Sequence, residues 1–185
     1  MIDDVKADAE SKMKKTIEAL KREFGGIRTG RASPALVEPL KVEYYGTPTP
    51  LQQIATIAAP EARLLTIKPF DPATLSLIEK AILKSDLGLT PMNDGKIIRL
   101  AIPALTEERR RDLTKVVRKY AEESHVALRN VRRDGLKDLE DLEKEKMISE
   151  DQHFKGKDLL QELTDKYIAL VDQTTKAKEA EIMEV

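Results

Sequence analysis

Apolar residues recur every three or four positions in both outer parts of the chain, the spacing of one helix face. The first line of apolar residues is Ile2, Val5, Ala9, Met13, Ile17, Leu20, Phe24 and Ile27. The second, after the capping residue Thr106, is Leu113, Val117, Tyr120, Ala127, Val131, Leu139 and Leu142. The third, after a capping box of Ser149 and Gln152, is Leu160, Leu163, Tyr167, Leu170, Val171 and Thr174. The pattern predicts three amphipathic helices.

The second predicted helix, from about residue 106 to 147, would be roughly 63 Å long. A compact globule of this length is only about 40 Å across, so the helix does not fit inside one. A short turn after Met147 makes the second and third helices antiparallel neighbours, and the first completes their apolar seam. We therefore expect an elongated antiparallel three-helix bundle.

The middle of the chain has a different pattern. All nine prolines lie between Pro34 and Pro103, and about a fifth of residues 31–104 are charged, against nearly half elsewhere. Proline is unfavourable inside helices. Turn residues separate strand-like runs at 40–45, 53–58, 64–68 and 97–102, and a helical pattern at 74–87 ends before Gly88. The prediction is an α+β protein in which a small β/α/β domain, 31–104, is inserted into a bundle of 1–29 and 106–185.

Composition excludes several classes of protein. The 185 residues include no cysteine, which excludes disulfides and thiolate metal sites and suits a reducing compartment. The acidic start resembles no secretory signal, and no apolar run is long enough to span a membrane. We expect a soluble, cytoplasmic protein. Aromatic residues make up 4% of the chain and tryptophan is absent, so base stacking on a large aromatic platform is not expected.

Motifs for catalysis are weak. The run Gly25–Ala32 has the glycine spacing of a phosphate-binding loop, but Arg31 and Ala32 replace its Lys and Ser/Thr, and it follows a helix. We interpret it as a joint. His125 and His153 have no partner at metal-ligand spacing and are expected in surface or packing roles. We expect no enzymatic activity, no metal and no cofactor.

Charge on the second helix is strongly polarised. Nine basic residues and three acids lie between Arg109 and Arg133, followed by eight acids and three lysines from Asp134 to Asp151. At 100° per residue, six basic residues fall on one face away from the apolar line that includes Val131: Arg111, Lys115, Arg118, Arg129, Arg132 and Arg133. Arginine binds phosphate with a two-donor fork, so this face indicates recognition of an RNA backbone. An ordinary solvated helix surface is the alternative.

Seven motifs are spread over essentially the whole chain: Ile27–Leu36, Val42–Pro48, Ser85–Leu89, Leu105–Arg111, Arg129–Arg133, Ser149–Asp151 and Leu163–Ile168. In residues and in order they resemble the motifs of the bacterial ribosome recycling factor family. The resemblance implies an L-shaped protein with the dimensions of a transfer RNA, whose bundle binds the large ribosomal subunit and its rRNA after termination. Elongation factor G, with GTP, then splits the ribosome with it, mRNA and deacylated tRNA are released, and initiation factor three keeps the subunits apart.

Residue roles follow from the same resemblance. The rRNA-contacting arginines of the second helix would be Arg129, Arg132 and Arg133, and those near the joint Arg28 and Arg31. Two linkers would form a hinge, one of Thr29, Gly30, Arg31, Ala32 and Ser33, the other of Pro103, Ala104 and Leu105. The protein would act as a monomer. Gly135 should weaken its helix by about 1 kcal/mol relative to Ala, without an evident reason.

Two other classes stay open at this point. A coiled-coil chaperone or adaptor would also have long charged helices, but would not need an arginine-rich face of one sign. An enzyme of unfamiliar type would have to build its site within residues 31–104.

Overall fold

The computed structural model describes residues 1–184 and contains four α-helices and six strands among them. In chain order these are α1 Ile2–Gly25, β1 Lys41–Tyr44, β2 Thr47–Pro50, β3 Ala55–Glu61, β4 Leu64–Pro69, α2 Leu75–Lys84, β5 Pro91–Asn93, β6 Ile98–Ala101, α3 Glu107–Lys144 and α4 Glu150–Met183. The chain divides into two compact units, one of residues 1–27 and 110–184, the other of residues 28–109.

Helices α1, α3 and α4 form the first unit. Arg118 of α3 pairs with Glu179 of α4, and Arg132 of α3 pairs with Gln161 of α4. The residue numbers of the partners on α4 therefore decrease as those on α3 increase. These two helices are therefore antiparallel. Both predicted N-caps are present: Thr106 accepts from the amide of Arg109, and Ser149 forms the capping box at the start of α4. The prediction of three helices is confirmed.

The buried seam of α3 differs from the predicted one. Leu113, Val117 and Leu139 are buried as expected, but Tyr120, Ala127, Val131 and Leu142 are only partly buried. Their place in the seam is taken by Ala121, Ser124, Leu128 and Gly135. The buried line of α3 is rotated from the predicted one, so that Leu128 replaces Ala127 in it, and it includes small residues that a pattern of apolar side chains did not reveal.

Gly135 owes its place to this packing. A Cβ added there would lie 2.9 Å from Cδ1 of Leu160 on α4, which is itself buried. The reciprocal contact exists at Gly156 of α4, where an added Cβ would lie 2.9 Å from Cδ1 of Leu139 on α3. A glycine on each helix thus leaves room for a leucine of the other helix. The close packing at Gly135 offsets its low helix propensity.

The second unit contains two antiparallel sheets, β1–β2 and a four-stranded sheet in the order β3-β4-β6-β5. Tyr45 and Gly46, both with positive φ, form the two-residue turn between β1 and β2. Strands β2 and β5 were not predicted. The first contains Pro48 and Pro50, which argue against a strand from sequence alone, and the second is only three residues long.

Helix α2 ends three residues earlier than predicted. Its last residue is Lys84, and Ser85 adopts an extended conformation while its hydroxyl donates to the carbonyl of Ile82 at 2.6 Å. This side chain competes with the helical backbone, a common way for serine to end a helix. The inner face of α2 packs into an aliphatic core that includes Leu65, Ile67 and Ile98.

Candidate nucleic-acid interface

Arg129, Arg132 and Arg133 lie on one side of α3, because residues three and four apart share a helix face. Arg129 and Arg133 are exposed, whereas Arg132 is partly buried. The helix continues unbroken through this region, so the backbone fixes the spacing of the three guanidinium stems. The structure therefore brings these three predicted residues together on one face.

Arg129 is paired with a carboxylate two helical turns earlier. Its Nη2 donates to Oε1 of Glu122 at 2.9 Å, and this hydrogen bond lowers the pKa of Glu122 below its ordinary value. Both side chains are about half exposed or more, so solvent screens the pair and its contribution to stability is small. The carboxylate of Glu122 therefore offsets the charge of the Arg129 guanidinium in the structure.

Arg132 lies closer to the bundle seam than predicted. Taking the seam through Leu128, Gly135 and Leu139, Arg132 is about 40° from its centre at 100° per residue. Its Nη1 donates to Oε1 of Gln161 on α4 at 3.0 Å, and its Nε is buried without a hydrogen-bond partner. The expectation that Arg132 points away from the seam was wrong because Val131, the reference for it, lies at the seam's edge.

Arg133 has a neutral partner. Its Nη2 donates to Oδ1 of Asn130, three residues earlier, at 2.9 Å. An amide oxygen orients the guanidinium without cancelling its charge. Arg132 and Arg133 are thus both oriented by neutral acceptors, whereas Arg129 faces a carboxylate.

Sequence reasoning missed the partners Glu122, Asn130 and Gln161. Two could have been found, because Asn130 lies one turn before Arg133, and Glu122 lies two turns before Arg129. Gln161 belongs to another helix, and its proximity depends on the register of α3 against α4, which no local pattern gives.

The two histidines take part in side-chain pairs. His125 Nε2 lies 2.9 Å from Oδ1 of Asp172 on α4, and its Nδ1 lies 3.6 Å from Glu122. His153 contacts Glu143 near the turn between α3 and α4. Within residues 1–184, no three His, Asp or Glu side chains are grouped as metal ligands would be.

Arg28 and Arg31 lie in the other unit, that of residues 28–109. Arg28 donates to backbone carbonyls of the loop after α2: Nη1 to Leu87, and Nη2 to Asp86 at 3.4 Å. Arg31 is exposed. The guanidinium of Arg28 thus holds the 86–87 loop.

The first predicted hinge segment, and the residue just before the second, are anchored within the same unit. Ala32 donates to the carbonyl of Ala62 at 2.6 Å, and Ile102 donates to that of Arg63 at 2.9 Å. Gly30 has φ +75°, a conformation that glycine adopts readily, and an added Cβ would lie 3.1 Å from Cγ of Leu105. The two segments therefore meet at Gly30 and Leu105.

Across residues 1–184, no helix has both the length and the apolar character needed to cross a membrane. The fold defines an α+β protein in which a three-helix bundle is interrupted by an antiparallel-sheet unit. The model of the family "Ribosome recycling factor" matches residues 20–183, and the chain belongs to this family.

Relatives and solved structures agree with that assignment. The chain is 60% identical to the ribosome-recycling factor of Heliobacterium modesticaldum and 58% identical to that of Carboxydothermus hydrogenoformans, over the full length of each protein. A solution structure of a ribosome recycling factor is 46% identical, with a TM-score of 0.80, covering all of this chain and 98% of the other.

A second structural neighbour, 48% identical with a TM-score of 0.69 and full coverage of both chains, describes the ribosome recycling factor of T. thermophilus and elongation factor G of E. coli bound to the E. coli post-termination complex. The family functions in ribosome recycling, and its members are not enzymes. The family assignment therefore replaces the two alternative hypotheses, a coiled-coil chaperone or adaptor and an enzyme.

Proposed function

We propose that this chain binds the large subunit of the post-termination ribosome and, with elongation factor G and GTP, separates the subunits so that mRNA and deacylated tRNA are released. The observation that carries the proposal is full-length identity of 60% to a ribosome-recycling factor. The protein would act in the cytoplasm as a monomer, without a cofactor of its own, and initiation factor three would then keep the subunits apart.

Light scattering of post-termination ribosomes tests the reaction. A rapid fall is expected only when this chain, elongation factor G and GTP are all present, because the chain has no energy source of its own. A fall without elongation factor G, or none with a species-matched and active factor, would contradict the proposal.

The rRNA contact is proposed at Arg129, Arg132 and Arg133, with Arg28 and Arg31 as further contacts from the other unit. Three observations support the α3 face: the side chains share one helix face, none is fully buried, and two are oriented by neutral acceptors. Arginine forks of this kind bind phosphate bidentately. Such an interface reads RNA backbone and shape rather than base sequence.

Affinity for large ribosomal subunits, measured at several salt concentrations, tests that interface. Each phosphate contact adds roughly one unit to the slope of log affinity against log salt, so Arg133→Ala should weaken binding and flatten the slope by about one. Arg22→Ala, at an exposed arginine of α1, removes the same charge and should leave both unchanged. Equal effects of the two variants would refute a local contact.

The segments 29–33 and 103–105 are proposed as linkers that let the inserted domain move during splitting. Gly30 supports this role because its positive φ is a conformation that glycine adopts readily. Two linkers side by side resist twisting better than one. The variant Ala104→Pro, which stiffens an exposed linker residue, should slow splitting while leaving subunit affinity unchanged. Unaltered splitting would argue against a hinge there.

A further inference from the structure

Gln161 of α4 faces Arg132 of α3 and is itself held by a third side chain. Its Oε1 accepts from Nη1 of Arg132 at 3.0 Å, while its Nε2 donates to Oδ1 of Asp165 at 2.9 Å. Asp165 lies one turn further along α4. Because a carboxylate only accepts, Asp165 fixes the amide so that its oxygen faces the guanidinium.

The chemistry of this acceptor suits an arginine that must bind an anion. A carboxylate, like that of Glu122 beside Arg129, neutralises its partner and has to be displaced before phosphate can bind. The amide of Gln161 provides direction without an opposing full charge. The negative charge among these three side chains belongs to Asp165, which accepts a hydrogen bond from the amide nitrogen of Gln161 and not from Arg132.

Arg132 is also restrained by burial. Its side chain is partly buried and Nε has no partner, so part of the guanidinium already lies against the protein. A single hydrogen bond from Nη1 then determines where the rest of the planar fork points. Restricting a long side chain before binding lowers the entropy lost on binding.

We propose that Gln161 is a positioning residue for RNA recognition, which orients Arg132 towards phosphate through a neutral hydrogen bond that Asp165 enforces. The inference rests on the proposed function, since it needs Arg132 to contact rRNA. It assigns to α4 a role beside the three proposed phosphate-binding arginines of α3.

A double-mutant cycle on binding to isolated large ribosomal subunits tests the proposal. Gln161→Ala should weaken binding roughly two- to tenfold, the range expected when one long side chain loses its restraint. The salt slope should not change, because Arg132 keeps its charge. Arg132→Ala should weaken binding and flatten the slope by about one, and adding Gln161→Ala to it should cause no further loss.

The variant Gln161→Glu separates neutrality from geometry. It keeps an acceptor of the same length but adds a negative charge, so it should weaken binding more than Gln161→Ala and flatten the salt slope. Gln173→Ala, at an exposed glutamine of the same helix, is the control and should bind normally. Thermal melting of each variant verifies that the bundle stays folded.

Three results would overturn the inference. Equal losses from Gln161→Ala with and without Arg132 would show a general structural role. Normal binding by Gln161→Ala, with weak binding by Arg132→Ala, would reject the positioning role alone. Normal binding by Arg132→Ala would reject it together with the proposed contact at Arg132.

Discussion

The bundle and the sheet unit are built from different kinds of contact. The sheet unit surrounds a core of aliphatic side chains from β1, β4, β6 and α2. In the bundle, by contrast, α3 and α4 meet where Gly135 and Gly156 receive Leu160 and Leu139. A narrow seam of this kind leaves most of each helix surface to charged residues. The difference shows how one chain combines a self-contained core with long, solvated faces that can carry binding residues.

Removing a seam leucine should have the largest effect on the bundle. Leu160 is 1% exposed, so Leu160→Ala should lower the free energy of unfolding by about 2–5 kcal/mol. Urea denaturation followed by circular dichroism measures it. In the sheet unit, Leu100→Ala removes an equally buried side chain and should cost a similar amount. A loss below about 1 kcal/mol for Leu160→Ala would show that the seam is not tightly packed.

Filling the seam should be the next most harmful change. Gly135→Ala gains about 1 kcal/mol of helix propensity but overpacks Leu160, which typically costs about 1–3 kcal/mol. We expect net destabilisation of up to about 2 kcal/mol. In a Leu160→Ala background the space is free, so the same change should become stabilising. Urea denaturation of the four proteins gives the cycle, and stabilisation in both backgrounds would contradict the glycine–leucine contact.

The bundle should be sensitive to alkaline pH. Burial, assisted by a hydrogen bond to Glu10, raises the pKa of Tyr167 to about 12, above its ordinary 10. The neutral phenol therefore contributes stability that is fully present below pH 10 and lost as pH rises towards 12. Ultraviolet titration should show one late-ionising tyrosine that Tyr167→Phe removes. Four tyrosines ionising together near pH 10 would refute this.

The sheet unit should respond at the acidic end instead. Amide hydrogen bonds, first from Ile97 and then from Lys96, and a hydrogen bond from Arg99 lower the pKa of Asp94 well below its ordinary 3.8. Its charged form contributes stability above that value, which is lost as pH falls through the lowered pKa. Asp94→Asn should flatten the decline of stability below about pH 4. An unchanged acid profile in thermal melts would contradict this.

The smallest effect is expected at the turn between α3 and α4. Lys146 has φ +60°, and the amide of Met147 donates to the carbonyl of Leu142, as in a helix end that favours glycine. Lys146→Gly should therefore stabilise the protein by up to about 1 kcal/mol. Lys155→Gly, inside α4, should destabilise by about 1 kcal/mol. Thermal melts of both variants check the opposite signs.

The periodic bundle was easier to predict than the sheet unit. The three helices, both N-caps and the break after α3 followed from local spacing and capping chemistry, although α3 ends at Lys144 rather than near residue 147. The short strands β2 and β5 were not predicted from local patterns. Two prolines in β2 argue against a strand, and β5 is recognisable only by its pairing with β6. Small seam residues such as Gly135 and Ser124 were also missed, since their burial depends on the facing helix.

The candidate site shows the same limit. Charge polarity along α3 indicated a face of six basic residues that includes Arg129, Arg132 and Arg133, and the family resemblance singled out these three. Their hydrogen-bond partners and the partial burial of Arg132 depend on the register between α3 and α4. Local sequence patterns thus identified the basic residues but not the environment that orients them.

The rate of subunit splitting by a triple variant tests the central claim most directly. Post-termination ribosomes, elongation factor G and GTP would be mixed with wild type, with Arg129→Ala/Arg132→Ala/Arg133→Ala, or with the Arg22→Ala control, and light scattering followed. We predict fast splitting by wild type and control, and splitting by the folded triple variant slowed at least tenfold at subsaturating protein, since each charged contact contributes about 1–3 kcal/mol. A triple variant as fast as wild type would contradict the account.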